Sequence, residues 1–554
     1  MTVKLANAFS RYYPVILIIA LSVGVNANTM INDFVYDDFA NILGNPWITD
    51  IKFLPDIFST HVGGFSGEYS TRYYRPLNNV LFMAGYHISG YTPWGYHLIN
   101  ILLHTMVSLL VYIISLTLFA APAVSRGFLS PPLLIALLFA VHPIHTESVA
   151  WVSGISDISY SIFYLFSFYM YIRSGEGNRS IFNRFYLVSL GSFCLAVLSK
   201  EPALTLPFFL VAYDYVHSGK GIRSVDYAKR YFPFLILIVV YFFVRFLVLP
   251  GFIPSKSRTV LSGYQYFLNA FPLFAEYLEK LLLPLNLSPV HVFHPVLSIQ
   301  EAKSVLGIFI TIAFFTIFFI ARNKSMLLLG FSFMLIPLLP AFYTTAISGE
   351  SVFAERYLYL PTFGYTIVLA YLYSEAGKFM HRNSTLAILI AAALIGTFSV
   401  GTTIRNTDWK DSYALWSDTV KKSPQSSVAR QFYGYALYSR GNIDEAILEY
   451  RKALELNPQL YDARINLGIA YHSKGQMEQA IEQYRILLRY YPGSASAHNA
   501  LGMAYGRVGF LDDAIEHFQS ALELDPGNEE AKRNLLTAQS IKIQNDSNPS
   551  FVRH

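Results

Sequence analysis

"RYYPVILIIALSVGVNANTMINDFVYDDFANIL", residues 11–43, joins a mostly apolar run to a short polar stretch that holds Asp33, Asp37 and Asp38. The run has about the 20 residues that a helix needs to cross the hydrocarbon core of a bilayer. It lacks a small-residue cleavage site and further apolar runs follow, so it reads as a retained helix and not as a signal peptide. Paired carboxylates at the mouth of a first span then call for an explanation.

The bulk composition fits a membrane protein. Of 554 residues, 53% are hydrophobic and 14% charged, against about 25% charged in an ordinary soluble domain. The charge is unevenly spread. Residues 1–404 hold 24 Lys/Arg and 18 Asp/Glu, whereas the much shorter 405–554 holds 17 and 18. This divides the chain into a polytopic membrane domain and a soluble domain of ordinary polarity. The net +5 of the whole is +6 from the first part and −1 from the second, as the positive-inside rule expects of cytoplasmic loops. Nothing in it resembles a basic arm for nucleic acid. Cys194 is the only cysteine, so neither an internal disulfide nor a cysteine-based metal site can form.

Eleven stretches have the length and apolarity of spans: 12–31, 95–119, 131–150, 155–172, 184–199, 201–216, 231–249, 303–321, 326–345, 357–374 and 385–404. Alternate loops carry Lys4 and Arg11; Arg126; Arg173, Arg179 and Arg184; Lys220, Arg223, Lys229 and Arg230; Arg322 and Lys324; Lys378 and Arg382. All of these fall on one side, which the rule makes cytoplasmic. An odd number of spans puts residues 32–43 and the whole C-terminal part together on the other side. "YQYFLNAFPLFAEYLEKLLLPLNL", 264–287, is apolar too but carries Glu276, Glu279 and Lys280. It reads as a helix lying on or dipping into the outer face. The first outer loop, 32–94, is long, and "IKFLPDIF" and "PLNNVLFMAGYHI" within it suit interfacial amphipathic helices.

The C-terminal part repeats with a period of 34. Pro424, Pro458, Pro492 and Pro526 are in phase with Gly434, Gly468 and Gly502, with Ala446, Ala480 and Ala514, and with Tyr450, Tyr484 and Phe518. This resembles the tetratricopeptide repeat, in which small residues let paired helices approach and aromatics fill the space beside them. Three repeats span 427–528, after a linker and half-repeat helix over 405–426. A capping helix over 529–540 and a disordered tail over 541–554 complete the reading. Such an array offers a groove for a peptide or protein.

Polar residues gather where spans meet the outer side. "AVHPIHTESVAW" supplies His142, His145 and Glu147, and "LSKEPALTLP" supplies Lys200 and Glu201. Arg245 lies near the outer end of its span, "SGESVFAERYLYLP" supplies Glu350, Glu355 and Arg356, and "SPVHVFHPV" supplies His291 and His294. A charge in the membrane costs about 2.5–3.5 kcal/mol on insertion scales, so such residues face partners or a cavity. Several of them on one face suggest one pocket. The bland readings stand beside this: solvated loop acids for Asp33, Asp37 and Asp38, a structural ion pair for Lys200 and Glu201, and loop residues for His291 and His294. His142, His145 and Glu147 form a metal set only as a weak alternative, since HxxHxE matches no firm pattern. Arg356 suits an anion, because its fork matches phosphate oxygens, although the adjacent Glu355 offers to neutralise it.

The ordered stretches "FVYDDFANI", "YYRPLNNVLF", "GYHLINILLHTMVSLLVY", "LLFAVHPIHTESVAWVSGISD", "SKEPALTLP", "AERYLYLPTFGY" and "RNTDWKDSYALW" together resemble the TMTC family, transmembrane proteins with tetratricopeptide repeats. The resemblance covers nearly the whole chain. It implies an all-α, GT-C-type membrane domain over 1–404 followed by a repeat solenoid. It also implies O-mannosyl transfer from a polyprenyl-phosphate sugar outside the cytosol to a protein hydroxyl. By the same likeness Asp37 and Asp38 occupy the acidic motif of the first outer loop, read here with Asp37 as base and Asp38 as helper, and Arg356, with Lys200 or Arg245, holds the donor phosphate. His142, His145, Glu147, Glu201 and Glu355 would line the substrate pocket. The array is short beside those of animal members, which points to a bacterial relative with its repeats in the periplasm; an endoplasmic reticulum membrane with lumenal repeats is the other placement.

The chemistry explains why these residue types suffice. An ionised phosphate ester leaves without protonation, so the acid and base pair of a glycoside hydrolase reduces to one base. That base takes the acceptor proton, and cations steady the leaving phosphate. Attack from the face opposite the phosphate inverts the anomeric centre. No cofactor is called for; the donor, a protein acceptor and the surrounding membrane lipid are the partners, without nucleic acid. Two other readings remain: a related enzyme that modifies a lipid or polysaccharide, and a non-enzymatic membrane-anchored repeat scaffold.

Overall fold

The computed structural model describes residues 2–66, 73–119, 129–175, 183–217, 225–249, 261–342, 350, 352–379 and 384–547. Of the residues assigned above to cytoplasmic loops, Arg126, Arg179, Lys220, Arg223 and Arg382 lie outside them. The described chain is helical, without a strand, and falls into two compact units, Met1–Ala414 and Leu415–His554.

Among the described residues of the first unit six helices are long and apolar enough to cross a membrane: Tyr12–Ile31, Trp94–Leu118, Ala228–Val248, Ala302–Asn323, Ser325–Phe342 and Thr385–Trp409. A seventh arises if Pro131–Ala140 and Pro143–Ala150, bent by 44°, count as one span. The chain is a membrane protein. The four other expected stretches are helical as well, over Ile155–Gly175, Arg184–Ser199, Leu206–His217 and Pro361–Phe379, but are shorter or less apolar. Their buried hydroxyls account for part of this: Ser167 pairs with Ser189 across two neighbouring helices at 3.0 Å. Such bonds let polar residues sit inside a helical bundle.

The bent pair sets up the site. Pro131–Ala140 is apolar all round and wholly buried, the pattern of a helix surrounded by protein. Pro143 interrupts it, since a proline lacks the N–H that would continue the ladder. The imidazole Nδ1 of His142 accepts instead from the Ile144 N–H at 3.2 Å. The chain then makes the short turn Thr146–Ala150 and a second at Val152–Gly154 before the next helix. Gly154 is required there: a Cβ would stand 2.7 Å from the Ser148 carbonyl oxygen and 2.8 Å from that of Glu147. Asn100, from Trp94–Leu118, donates its amide to the carbonyls of Val149, Trp151 and Val152 and pins this turn.

The helical pieces expected between residues 32 and 94 are present as Leu54–Ser59 and Pro76–Ser89. Residues 264–287 form a helix over Gly263–Leu282, and a Cβ on Gly307 of the following helix would stand 2.6 Å from the Pro272 nitrogen.

The boundary between the units differs from the expected one. The first unit ends at Ala414, not at 404, because residues 405–410 are built into it. The Asn406 side chain donates to the Val25 carbonyl at 2.9 Å, the Asp33 N–H donates to the Lys410 carbonyl at 2.8 Å, and Trp409 stacks on Trp151.

Among its described residues the second unit holds most of the helix Ser412–Lys422 and then three helix pairs, Ser427–Ser439 with Ile443–Leu456, Tyr461–Ser473 with Met477–Tyr490, and Ala495–Arg507 with Leu511–Leu524. A Cβ on Gly434, Gly468 or Gly502 would strike the ring of Tyr450, Tyr484 or Phe518, so the small residue and the aromatic are one device used three times. The final helix runs over Glu529–Ser547, past the expected end at 540. Residues 540–547 contain neither Gly nor Pro, and Lys542 reaches Asp512 of the preceding helix. Residues 548–554 lie outside the described residues.

Candidate active site

The acidic stretch is a tight, strained turn. Tyr36 has φ 55°, a left-handed conformation that costs a non-glycine residue about 1–3 kcal/mol unless its surroundings impose it. Asp38 supplies much of that constraint. Its carboxylate is fully buried; Oδ1 accepts from the Ser153 N–H at 2.8 Å and hydroxyl at 2.6 Å, and Oδ2 accepts from the Val35 N–H at 3.1 Å. Burial pushes Asp38 up to about 7, against the pull of these three hydrogen bonds. Asp38 therefore clamps residues 35–38 onto the Val152–Gly154 turn.

Asp37 has the opposite character. It is exposed, and among the described residues nothing hydrogen-bonds its carboxylate. Burial by surrounding protein nonetheless raises it above the usual carboxylate range, with Arg356 pulling the other way. A side chain that touches solvent while hemmed in by protein lines a concavity. The two adjacent acids thus have separate jobs: one holds the turn, the other is presented.

Arg356 lies within electrostatic reach of Asp37, with 27% of its side chain exposed. Its backbone N–H donates to Glu147 Oε2 at 2.8 Å and its guanidinium donates to Glu147 Oε1. The guanidinium carbon lies 5.6 Å from the Trp151 ring centre and 5.5 Å from that of Tyr357, distances at which a cation is attracted to an aromatic face. Glu355 does not neutralise it. That carboxylate turns away and accepts from the Ser288 N–H at 2.5 Å and pairs with His291 at 2.8 Å. His291 is a loop residue, as expected, but one with this fixed partner.

Lys200 and Glu201 do not pair with each other. The Lys200 ammonium is held at 2.6 Å by both oxygens of Asp157, with both side chains buried. Adjacent residues leaving an extended backbone point to opposite sides, and Lys200 is extended at φ −162° and ψ 144°. Glu201 lies between two arginines: Arg75 donates to Oε2 at 2.6 and 3.0 Å, and Arg245 donates to Oε1 at 3.1 Å. All three are about one-fifth exposed. Tyr357 links the groups, since its hydroxyl is within electrostatic reach of Arg356, Arg75, Tyr73 and Asp157.

His142 and His145 do not line the concavity. Both are buried among aromatics, His142 4.6 Å from Phe398 and His145 4.5 Å from Phe139 and from Tyr359 between ring centres. Glu147 is committed to Arg356, and among the described residues no three His, Cys, Asp or Glu side chains gather to hold a metal. The structure does not bring His142, His145 and Glu147 together as a ligand set.

The sequence reading missed Arg75, Asp157, Tyr36, Trp151 and Tyr357. Asp157 offered a signal: an acid in an apolar helix needs a partner, and Lys200 was the buried cation in want of one. Arg75 stood within "YYRPLNNVLF" without being singled out.

An apolar cavity of about 140 Å³ lies between three helices and is lined by Ala270, Phe271, Phe274, Thr311, Phe315 and Phe342 among others. Tyr277, on the helix of Phe271 and Phe274, has its ring centre 6.0 Å from that of Phe342 and its hydroxyl within electrostatic reach of Arg356 and Tyr357.

The class defined so far is a helical membrane protein in which an accessible acid lies within electrostatic reach of Arg356, followed by a helical-repeat domain. Its second unit matches the tetratricopeptide repeat models over residues 434–475 and 465–529. Its curated relatives are the TMTC protein O-mannosyl-transferases. Human TMTC3 is 26% identical over 79% of this chain and 50% of its own length. Mouse TMTC4 is 26% identical over 76% of this chain and 63% of its own, and the Caenorhabditis elegans protein O-mannosyl-transferase F38B6.6 is 27% identical over 80% and 62%. The chain spans about half to three-fifths of the length of these relatives. Among solved structures it resembles the first tetratricopeptide domain of human RPAP3, 22% identical over 22% of this chain and 98% of that one, with a TM-score of 0.22.

Proposed function

We propose that this protein is a membrane glycosyltransferase that moves a sugar, mannose by likeness to its relatives, from a polyprenyl phosphate to a hydroxyl of a protein acceptor on the non-cytoplasmic face. The observation that carries the reading is Asp37: an accessible carboxylate, raised above the usual range and within electrostatic reach of an exposed guanidinium. As the acceptor oxygen attacks the anomeric carbon, its proton passes to Asp37. The bond from that carbon to the phosphate oxygen breaks, and the electron pair leaves with the phosphate. A carboxylate raised toward the working pH is a better base than an ordinary one, and inversion follows from attack opposite the leaving group.

Arg356 supports the phosphate from one side, since its pair with Glu147 uses one Nη and leaves Nε and the other Nη without a hydrogen bond to the described residues. Arg75 and Arg245, the two guanidinium groups held by Glu201, are the other cations suited to it. Lys200 is assigned a structural role instead, because Asp157 occupies it on both oxygens. Glu147 and Glu201 act through the arginines they hold. The apolar cavity beside Phe271 and Phe274 is in keeping with a donor that carries a lipid chain. The repeat groove would present the acceptor.

The test is to incubate the purified protein with polyprenyl-phosphate mannose and candidate acceptor proteins while following release of the lipid phosphate. Release that depends on a protein acceptor supports the reading. Release without one favours a lipid or polysaccharide enzyme, and none with any lipid-phosphate sugar sinks it.

A further inference from the structure

We propose that Trp409 is a positioning residue for the acidic turn: its ring backs Trp151, which in turn backs Tyr36, and so fixes the direction in which Asp37 is presented. The inference rests on the reading of Asp37 as the base.

Four observations carry it. First, Trp409 is 1% exposed and its ring lies against Trp151 at 6.0 Å between centres with an interplanar angle of 23°. Second, Trp151 touches both halves of the site: its ring is 5.6 Å from the Tyr36 ring and 5.6 Å from the Arg356 guanidinium carbon. Third, Tyr36 is left-handed at φ 55° and immediately precedes Asp37, and a strained residue keeps such a conformation only where its surroundings enforce it. Fourth, the residue after Trp409 accepts, through its carbonyl, the N–H of Asp33 at the start of the same turn at 2.8 Å. The turn is thus held on one side by Asp38 and Ser153, and on the other by a segment 370 residues downstream. Asn406 and Asn32, bonded at 3.2 Å, reinforce that second hold.

A buried tryptophan also fills space, so the test must separate aim from packing. Trp409→Leu keeps the site apolar but removes the stacked face and part of the volume; Trp409→Phe restores an aromatic face. In the intact chain, Trp409→Leu lowers the unfolding midpoint through the cavity it leaves and is expected to speed hydrogen exchange of the amides of residues 33–38 by about tenfold or more beyond the increase shared by the rest of the first unit. It should also lower the transfer rate at saturating donor by about tenfold or more. Trp409→Phe should recover most of both. Wild-type exchange and rate in Trp409→Leu would overturn the proposal, as would losses in both variants that merely follow a lowered unfolding midpoint. The exchange readout stands apart from catalysis: a wild-type protein that transfers no sugar sinks the proposed function, while exchange still decides whether Trp409 holds the turn.

Discussion

Arg356 and Glu147, 209 residues apart in the chain, are joined twice, once through the arginine's backbone N–H at 2.8 Å and once through its guanidinium. The double bond fixes both the main chain and the side chain of Arg356 against the Thr146–Ala150 turn, and that turn is held in place by Gly154 and Asn100. A cation anchored in this way keeps its direction when a ligand arrives, which is what electrostatic stabilisation of a departing phosphate requires.

Glu147→Gln should therefore loosen Arg356 as well as destabilise the fold. Removing one partner of a buried pair typically costs about 3–5 kcal/mol, and the quarter-exposed guanidinium puts the expectation below that range. Thermal unfolding in detergent micelles reads the stability loss. A weaker apparent affinity for the lipid-phosphate donor reads the loosened cation.

Asp38 should prove structural. Its two oxygens face three donors, so the amide nitrogen of Asp38→Asn would meet a donor whichever way it turned. At pH 8 the loss is expected at about 1–3 kcal/mol. The pH dependence carries a definite sign. Between the ordinary 3.8 and about 7 the folded chain holds a proton that the unfolded chain has released. This group's contribution is thus full below about pH 4 and lost as the pH rises to about 7 and beyond. Asp38→Asn should remove that slope from a stability profile.

Asp37 should set the acid limb of the rate. Its carboxyl is raised by burial and only partly restrained by Arg356, so protonation disables the base at a pH above the usual carboxylate range. A profile of transfer rate against pH should fall on the acid side with its midpoint displaced upward. A midpoint at or below that of a solvated aspartate would contradict the environment described for it.

Gly154→Ala should damage the site from a distance. The added Cβ would meet backbone atoms of Glu147 and Ser148 at 2.7–2.9 Å, and backbone cannot step aside as a flexible side chain would. Overpacking of this kind costs about 1–3 kcal/mol. Since the displaced turn carries Glu147, donor affinity should fall together with the unfolding midpoint.

The sequence made some of this architecture readable and hid the rest for a physical reason. Helical repeats and membrane runs are local: a 34-residue period ties Gly468 to Tyr484 within one hairpin, and hydropathy marks Trp94–Leu118 without reference to its neighbours. The acidic motif was legible because Asp37 and Asp38 stand side by side. The pairings were not, since they depend on contacts between distant segments. Lys200 meets Asp157 across 43 residues and not its neighbour Glu201; Arg75 meets Glu201 across 126. Composition also could not separate two adjacent aspartates, one clamped by Ser153 and the other left facing open space. The extension of the first unit to Ala414 was hidden for the same reason: a polar linker by composition, "RNTDWK" is tied down by Trp151, Val25 and Asp33.

The most direct measurement is the release of polyprenyl phosphate from a polyprenyl-phosphate mannose donor, in the presence of a protein acceptor, by the wild-type protein and by Asp37→Asn. Loss of a general base is expected to slow turnover by about 10²–10⁴-fold, with the unfolding midpoint retained because the carboxylate makes no structural bond. Undiminished release by a folded Asp37→Asn protein would contradict the account.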